Sequence, residues 1–204
     1  MEEMQHYFTE KPKSRMIQYQ FTAVLLGNEL KFNTSSGVFS IKKIDRGTEV
    51  LIGNCIVEDG WHVLDMCCGY GPVGIALAKK YDIKLFMTDV NQRAVMLVRK
   101  NIKSNGLEGK DVTVVSGSLY DKVQDKGSFD TIIVNPPQTA GKDVCIAVIE
   151  QAYEFLKKGG ILQLVARHNK GGKALSAIME KVFGNVKDIA KKSGYRVYVS
   201  EKVS

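Results

Sequence analysis

From Trp61 to the carboxyl end, short apolar runs alternate with stretches whose apolar residues return every three or four positions. WHVLDM, IKLFMTD, DVTVVSG, FDTIIVN and GILQLVA read as strands, and within them TIIV and ILQLV are continuous enough for burial on both faces. Between them, PVGIALAKKY predicts a helix with Pro72 in its first turn, where a missing N–H does no harm. NQRAVMLVRKNIKSNG predicts a second, capped by Asn91 and ended by Gly106. Further helices are expected from about Asp143 to Lys157 and over KALSAIMEKVFG. Strands alternating with helices predict right-handed βαβ crossovers and an α/β fold whose sheet is covered on both faces. The tail, NVKDIAKKSGYRVYVSEK, holds two β-rich runs around Ser193-Gly194 and reads as a closing hairpin.

Residues 1–57 have a different texture. FTAVLLGNELKF places two apolar runs around Gly27-Asn28, a turn dipeptide that tolerates positive φ, so a small β-hairpin is expected. TSSGVFS is a small-residue loop with one aromatic, and IDRGTEVLIGNCI predicts a short helix. The expected organisation is an amino-terminal extension, 1–57, packed on a main domain, 58–204. At 204 residues and 44% hydrophobic, the chain can bury one sizeable core.

Charge and cysteine usage narrow the setting. A net charge of +7 favours contact with a polyanion, although many soluble proteins are mildly basic. Cys55, Cys67, Cys68 and Cys145 form no CxxC pair and have no histidine at zinc-site intervals, which points to a reducing cytoplasm and no metal site. His6, His62 and His168 lie far apart and read as surface or strand-edge residues. The first residues, MEEMQHYFTEKPKSR, carry no apolar leader, and no run approaches the ~20 residues of a membrane span, so an unexported protein is expected.

The chemistry starts at LDMCCGYGPVG. Gly69, Gly71 and Gly74 satisfy GxGxxG between a strand and the helix that follows it. Such a turn lets a ligand approach the backbone closely and meet the free N–H groups of a helix start. Asp89, at the end of the next strand, is the expected acceptor for ribose hydroxyls. Asp65, four residues before Gly69, separates two cofactor classes. A carboxylate there opposes a dinucleotide's pyrophosphate and suits a cationic ammonium, as in S-adenosyl-L-methionine; the alternative is that it only accepts the loop's own N–H groups.

LDMCCGYG, Asp89 and Asn135-Pro136-Pro137-Gln138 together resemble the class I S-adenosylmethionine-dependent methyltransferases. With SGVFS upstream, the chain is more narrowly similar to the methyltransferase small domain family, which includes guanine-N2 methyltransferases of ribosomal RNA. The resemblance implies a Rossmann-like, seven-stranded mixed sheet whose last strand is antiparallel. It implies that Phe39, Asp65, Cys67, Gly69 and Gly71 meet the cofactor, joined by Asp89, Val90 and Asn135. Two departures stand out. Cys67 occupies a position that is commonly glycine, and GSLYD replaces an acidic residue often placed to meet the adenine, leaving Ser118 and Leu119 for that contact.

An exocyclic purine amine is a poor nucleophile because its lone pair is delocalised into the ring. Two acceptors on its N–H bonds would turn and enrich that lone pair, and the side-chain oxygen of Asn135 with the carbonyl of Pro136 can supply them. Pro136 and Pro137 fix the local backbone and present no competing N–H. Gln138 stands where related motifs often carry an aromatic, so stacking on a flipped base falls to Phe39, Tyr70 or another ring. Basic groups at Lys11, Lys13 and Arg15, at Lys42, Lys43 and Arg46, and at Arg167, Lys170 and Lys173 suit RNA phosphates, as do Lys187, Lys191, Lys192 and Arg196. Methylation of an RNA base amine, most simply guanine N2 of ribosomal RNA, is the leading expectation. A protein glutamine amide as substrate, a noncatalytic RNA-binding module and, more remotely, an NAD-dependent oxidoreductase are the alternatives.

Overall fold

The computed structural model describes residues 10–12, 15–137 and 140–204. Strands β1 (Gln18–Leu25) and β2 (Asn28–Ser35) form an antiparallel hairpin. Its turn is Leu26-Gly27, one residue earlier than the expected Gly27-Asn28. Both turn residues have positive φ, 49° and 81°, which is the combination a tight type I′ connection needs. Asn28 already pairs with Leu25, and its side-chain amide donates to the carbonyl of Leu26, so a leucine is held in the left-handed region by its neighbour.

Helix α1 (Arg46–Ile52) follows, started by Asp45, whose carboxylate accepts the N–H groups of Gly47 and Thr48. The chain then runs through β3 (His62–Met66), α2 (Pro72–Lys80), β4 (Lys84–Asp89), α3 (Gln92–Ser104), β5 (Val112–Ser116) and β6 (Phe129–Val134). It continues through α4 (Lys142–Phe155), β7 (Leu156–Arg167), α5 (Lys173–Phe183), β8 (Lys187–Lys192) and β9 (Tyr195–Glu201). The strands assemble in the order β5-β4-β3-β6-β7-β9-β8, with β5 through β7 joined in parallel and β9 antiparallel to both β7 and β8. This is the Rossmann-like mixed sheet with a small amino-terminal β element.

The uninterrupted apolar runs are explained by burial on two sides. Ile133 of β6 packs with residues of α1, α2 and α3, whereas Ile132 and Val134 pack with residues of α4 and α5. Successive side chains of a strand point to opposite faces, so each run feeds both cores, and each fully buried Ile, Leu or Val contributes roughly 1.5–3 kcal/mol. Among the described residues no helix is long and apolar enough to cross a membrane.

Strand order reverses between β3 and β6, the position where open α/β sheets leave a crevice beyond their carboxyl ends. Met66 pairs with Val134, so Cys67 and Asn135, the next residues, leave the sheet from strands ~4.8 Å apart. A fully buried asparagine ties the hairpin to this edge. The oxygen of Asn101 on α3 accepts the backbone and side-chain N–H of Asn33 at 2.7 and 3.0 Å. Its nitrogen donates to the carbonyls of Asn33 and Tyr70 at 3.0 and 2.9 Å. Asn101→Ala strips three buried backbone groups of their partner, so urea denaturation should show a loss of about 3–5 kcal/mol. A loss below ~1 kcal/mol would mean that the hairpin and the glycine turn do not depend on this side chain.

Candidate functional site

The turn after β3 is built on left-handed backbone: φ is 57° at Cys67, 57° at Gly69 and 91° at Gly71. At Cys67 this conformation costs an L-residue roughly 1–2 kcal/mol. Burial pushes the thiols of Cys67 and Cys68 well above their ordinary range, and the charges of Asp65 and Asp89 add to it. Both thiols therefore stay neutral, Cys68 buried and Cys67 half-buried in the wall of the site. Gly74 serves a different purpose, since a Cβ there would stand 2.6 Å from the methyl of Met87 and 3.1 Å from Asp65 Oδ2. Its absence lets α2 lie close enough for the Gly74 N–H to reach Asp65 Oδ2 at 2.9 Å.

Two carboxylates face this turn. Asp65 is 2% exposed, and burial pushes its carboxyl up to about 7, against the opposing effect of the Gly74 N–H and with a further push from the charge of Asp89. Asp89 ends β4, accepting the N–H of Gly69 on Oδ2 and of Asn91 on Oδ1, each at 2.8 Å. Burial raises its carboxyl as well, and those two N–H groups work against the rise. Asn91 caps α3 and also donates to the carbonyl of Gly37 at 2.8 Å, which anchors the SGVFS loop beside Asp89.

Asn135 follows β6, and its side-chain nitrogen donates to Thr48 Oγ1 at 2.9 Å and Asp45 Oδ2 at 3.4 Å. Pro136 and Pro137 are buried. The carbonyl of Pro137 accepts the N–H of Ala140 at 2.8 Å, whereas among the described residues nothing donates to the carbonyl of Pro136.

These parts line one cleft that opens to solvent at the sheet edge. Of the residues expected from sequence, it brings together Phe39, Asp65, Cys67, Gly69, Asp89, Asn135, Pro136 and Pro137. Gly71 stands behind the turn and Val90 follows Asp89, both outside the lining. Ser118 and Leu119 are also outside it. They follow Gly117, whose N–H donates to the carbonyl of Asp89, and so share its sheet edge. Gln138 lies outside the described residues. Tyr70 forms a wall of the cleft, but it is 2% exposed and its ring meets Phe21 and Phe32 edge-on at 6.2 and 5.8 Å, so it has no face to offer a base. Phe39, at 37% exposed, sits on the rim.

Among the lining residues that the sequence reading did not assign to the site, Asp45, Thr48 and Asn91 carry polar side chains that shape it. Asp45 and Asn91 are visible in the sequence as residues able to start helices. Nothing local shows that the first turn of α1 meets the end of β6.

Over residues 29–199 the chain matches the family model "Methyltransferase small domain". The chain belongs to the methyltransferase small domain family. A relative from Bacillus subtilis, YbxB, whose function is uncharacterised, is 36% identical over 203 residues, covering 98% of this chain and 99% of its own. A ribosomal RNA small subunit methyltransferase C from Shewanella amazonensis is 32% identical over 197 residues, covering 94% of this chain and 55% of its own. The solved structure of a T. thermophilus 16S rRNA N2 methyltransferase in complex with AdoMet and guanosine superposes with a TM-score of 0.78 at 25% identity, over 94% of this chain and 52% of that one. This family member thus spans about half the length of the methyltransferase C relatives it matches.

Asp65 makes stability depend on pH. Its folded value of about 7 exceeds the ordinary 3.8, so the folded state holds a proton that the unfolded state has released across that window. The stability this supplies is full below about 4 and lost as pH rises through about 7. Asp65→Asn lacks the titration, so its denaturant midpoint should gain on the wild type between about pH 5 and pH 8. A gap that does not change with pH would contradict the burial argument.

Proposed function

We propose that this chain is an S-adenosylmethionine-dependent N-methyltransferase acting on an exocyclic amine of an RNA base, guanine N2 of ribosomal RNA, in the cytoplasm. The observation that carries the reading is the state of Asn135 and Pro136. The asparagine's nitrogen is engaged by Thr48 and Asp45, which leaves its oxygen and the adjacent proline carbonyl as acceptors at the cleft.

The cleft fits the cofactor on two counts. Asp65 is a buried carboxylate in its lining, suited to an ammonium group, and an added Cβ on Gly69 would meet nothing within 4 Å, so the backbone there is open to close approach. Two carboxylates at the same turn oppose a pyrophosphate, which argues against the dinucleotide alternative. In this reading Asp65 holds the ammonium and Asp89 takes the ribose hydroxyls, each of its oxygens keeping a lone pair beyond its backbone bond. Phe39, Cys67 and Gly69 line the remainder, with Gly71 supporting the turn from behind and Val90, Ser118 and Leu119 at the adjoining sheet edge toward the adenine. Bound there, S-adenosylmethionine supplies an electrophilic methyl group.

The chain's own residues prepare the nucleophile. Accepting the amine's N–H bonds, Asn135 Oδ1 and the Pro136 carbonyl draw its lone pair out of conjugation with the ring. Neither proline carries an N–H, so no donor competes at the acceptor pair. A strong base is not required, because the methylated ammonium is acidic enough to lose its proton to water. The extension, 1–57, contributes Phe39, Asp45 and Thr48 to a site otherwise built from residues 58–204.

The carboxyl edge favours RNA over a protein amide. Lys192 and Arg167 are each paired with Tyr195, so they stand level across the sheet at this edge, with the Arg167 guanidinium 5.0 Å from the Tyr195 ring centroid. Exposed Lys191 and Lys170 flank them, and Arg46 joins the same rim by donating to Ser193 Oγ. Lys13 lies outside the described residues. Such a row of cations suits a phosphate backbone, and the ribosomal RNA methyltransferases among the relatives support the choice of RNA.

Asn135→Ala should lower labelled methyl transfer to unmodified ribosomal RNA by ~10²–10³-fold, the usual range for removing one preorganised polar contact. Calorimetry should show S-adenosylmethionine affinity falling far less. Undiminished transfer would remove Asn135 from the mechanism.

A further inference from the structure

We propose that Asp45 and Thr48 are positioning residues that fix which end of the Asn135 amide faces the cleft. The proposal rests on the reading that Asn135 receives the substrate amine, and deepens it.

An asparagine amide has two ends of nearly equal size and opposite hydrogen-bonding character. Turned one way, Asn135 offers the cleft an acceptor. Turned by 180°, it offers an NH2 group, which would oppose the N–H bonds of an incoming amine. The catalytic role of the residue therefore requires one of two orientations that differ little in shape, and the asparagine alone does not determine it.

The surroundings do. Asp45 Oδ2 lies 3.4 Å from the amide nitrogen and Thr48 Oγ1 lies 2.9 Å from it, so both N–H bonds have acceptors on the α1 side. A carboxylate only accepts, so the flipped amide would set its oxygen against the Asp45 oxygen; the Thr48 hydroxyl, which donates as well as accepts, holds the amide while Asp45 decides which end faces it. Asp45 cannot turn away to relieve this, because the same Oδ2 accepts the N–H of Gly47 at 2.8 Å and of Thr48 at 3.2 Å. Gly47 keeps that carboxylate in place, since a Cβ there would meet Tyr195 at 2.8 Å and Asp45 Oδ2 at 3.0 Å. Thr48 is 4% exposed, and Asn135 is its side chain's hydrogen-bond partner among the described residues. The helix start at 45–48 thus reaches across 87 and 90 positions of sequence to select the orientation of one amide.

Thr48 gives the cleaner test, because Asp45 also caps α1 and its loss would unsettle the helix. Thr48→Val keeps shape and burial and removes only the hydroxyl that holds the amide; Thr48→Ser keeps that hydroxyl. Single-turnover methyl transfer to unmodified small-subunit ribosomal RNA would be measured for both, beside wild type and Asn135→Ala. Calorimetry with S-adenosylmethionine and side-chain amide NMR complete the set, the Asn135 resonances being those missing from Asn135→Ala. Thr48→Val should slow transfer about tenfold, the worth of one hydrogen bond of roughly 1.4 kcal/mol. It should leave S-adenosylmethionine affinity unchanged, shift the Asn135 amide resonances and speed their hydrogen exchange, and Thr48→Ser should recover most of the rate.

If Asn135→Ala is inactive while Thr48→Val matches wild type, the positioning role falls and the acceptor role of Asn135 stands. Should Asn135→Ala retain full activity, the acceptor reading fails and takes the positioning role with it. Equal loss in Thr48→Ser and Thr48→Val would also overturn the proposal, because packing and not the hydroxyl would then be the cause. The NMR arm holds whatever RNA is modified: unaltered Asn135 amide signals in Thr48→Val would show that no such restraint exists.

Discussion

The parallel pairing of β3 with β6 is the constraint on which the rest of the structure depends. Met66 opposite Val134 brings the glycine turn and the Asn-Pro-Pro segment out of the sheet side by side, although nearly seventy residues separate them in sequence. Every other site group is placed relative to that pair. Asp89 reaches the turn from β4 by accepting the Gly69 N–H, and the first turn of α1 closes on Asn135 from the opposite side. A shift of one residue in the β3–β6 register would send Asp65 to the other face of the sheet and separate it from the Gly74 N–H.

Burial then converts position into chemistry. Two carboxylates, one raised to about 7, are tolerated at one turn because backbone N–H groups meet them, and the same groups hold the turn in left-handed conformations at Cys67, Gly69 and Gly71. Strain of this kind persists where the surroundings over-determine it. In the proposed reaction the prolines act on the same principle at the other strand, presenting no donor beside the acceptors. Rigid acceptors on one strand and buried carboxyl groups on its neighbours lie preorganised around the cleft.

The order of strands and helices, the two hairpins and about half of the cleft lining were legible in the sequence because each rests on a local rule. Apolar runs bounded by turn residues mark the strands, Asn91 and Pro72 mark helix starts, and a carboxylate inside the apolar strand at Asp65 stands out against its neighbours. What remained hidden depends on contacts between distant segments. The turn shift to Leu26-Gly27 is a balance of backbone strain against one side-chain hydrogen bond, which residue preferences do not resolve. Tyr70 sits in a glycine turn, where exposure is the natural expectation, yet Phe21 and Phe32 of the hairpin draw it into the core. Asp45 and Thr48 read as an ordinary helix start, and only the fold shows them against Asn135.

The central claim is that the acceptor pair at Asn135 and Pro136 directs methylation to an exocyclic amine of an RNA base. The most direct measurement is mass spectrometry of nucleosides from unmodified ribosomal RNA treated with the purified protein and isotopically labelled S-adenosylmethionine. The account predicts the label in N2-methylguanosine. Label confined to a ring nitrogen or a ribose hydroxyl, or found only in a protein glutamine, would contradict it.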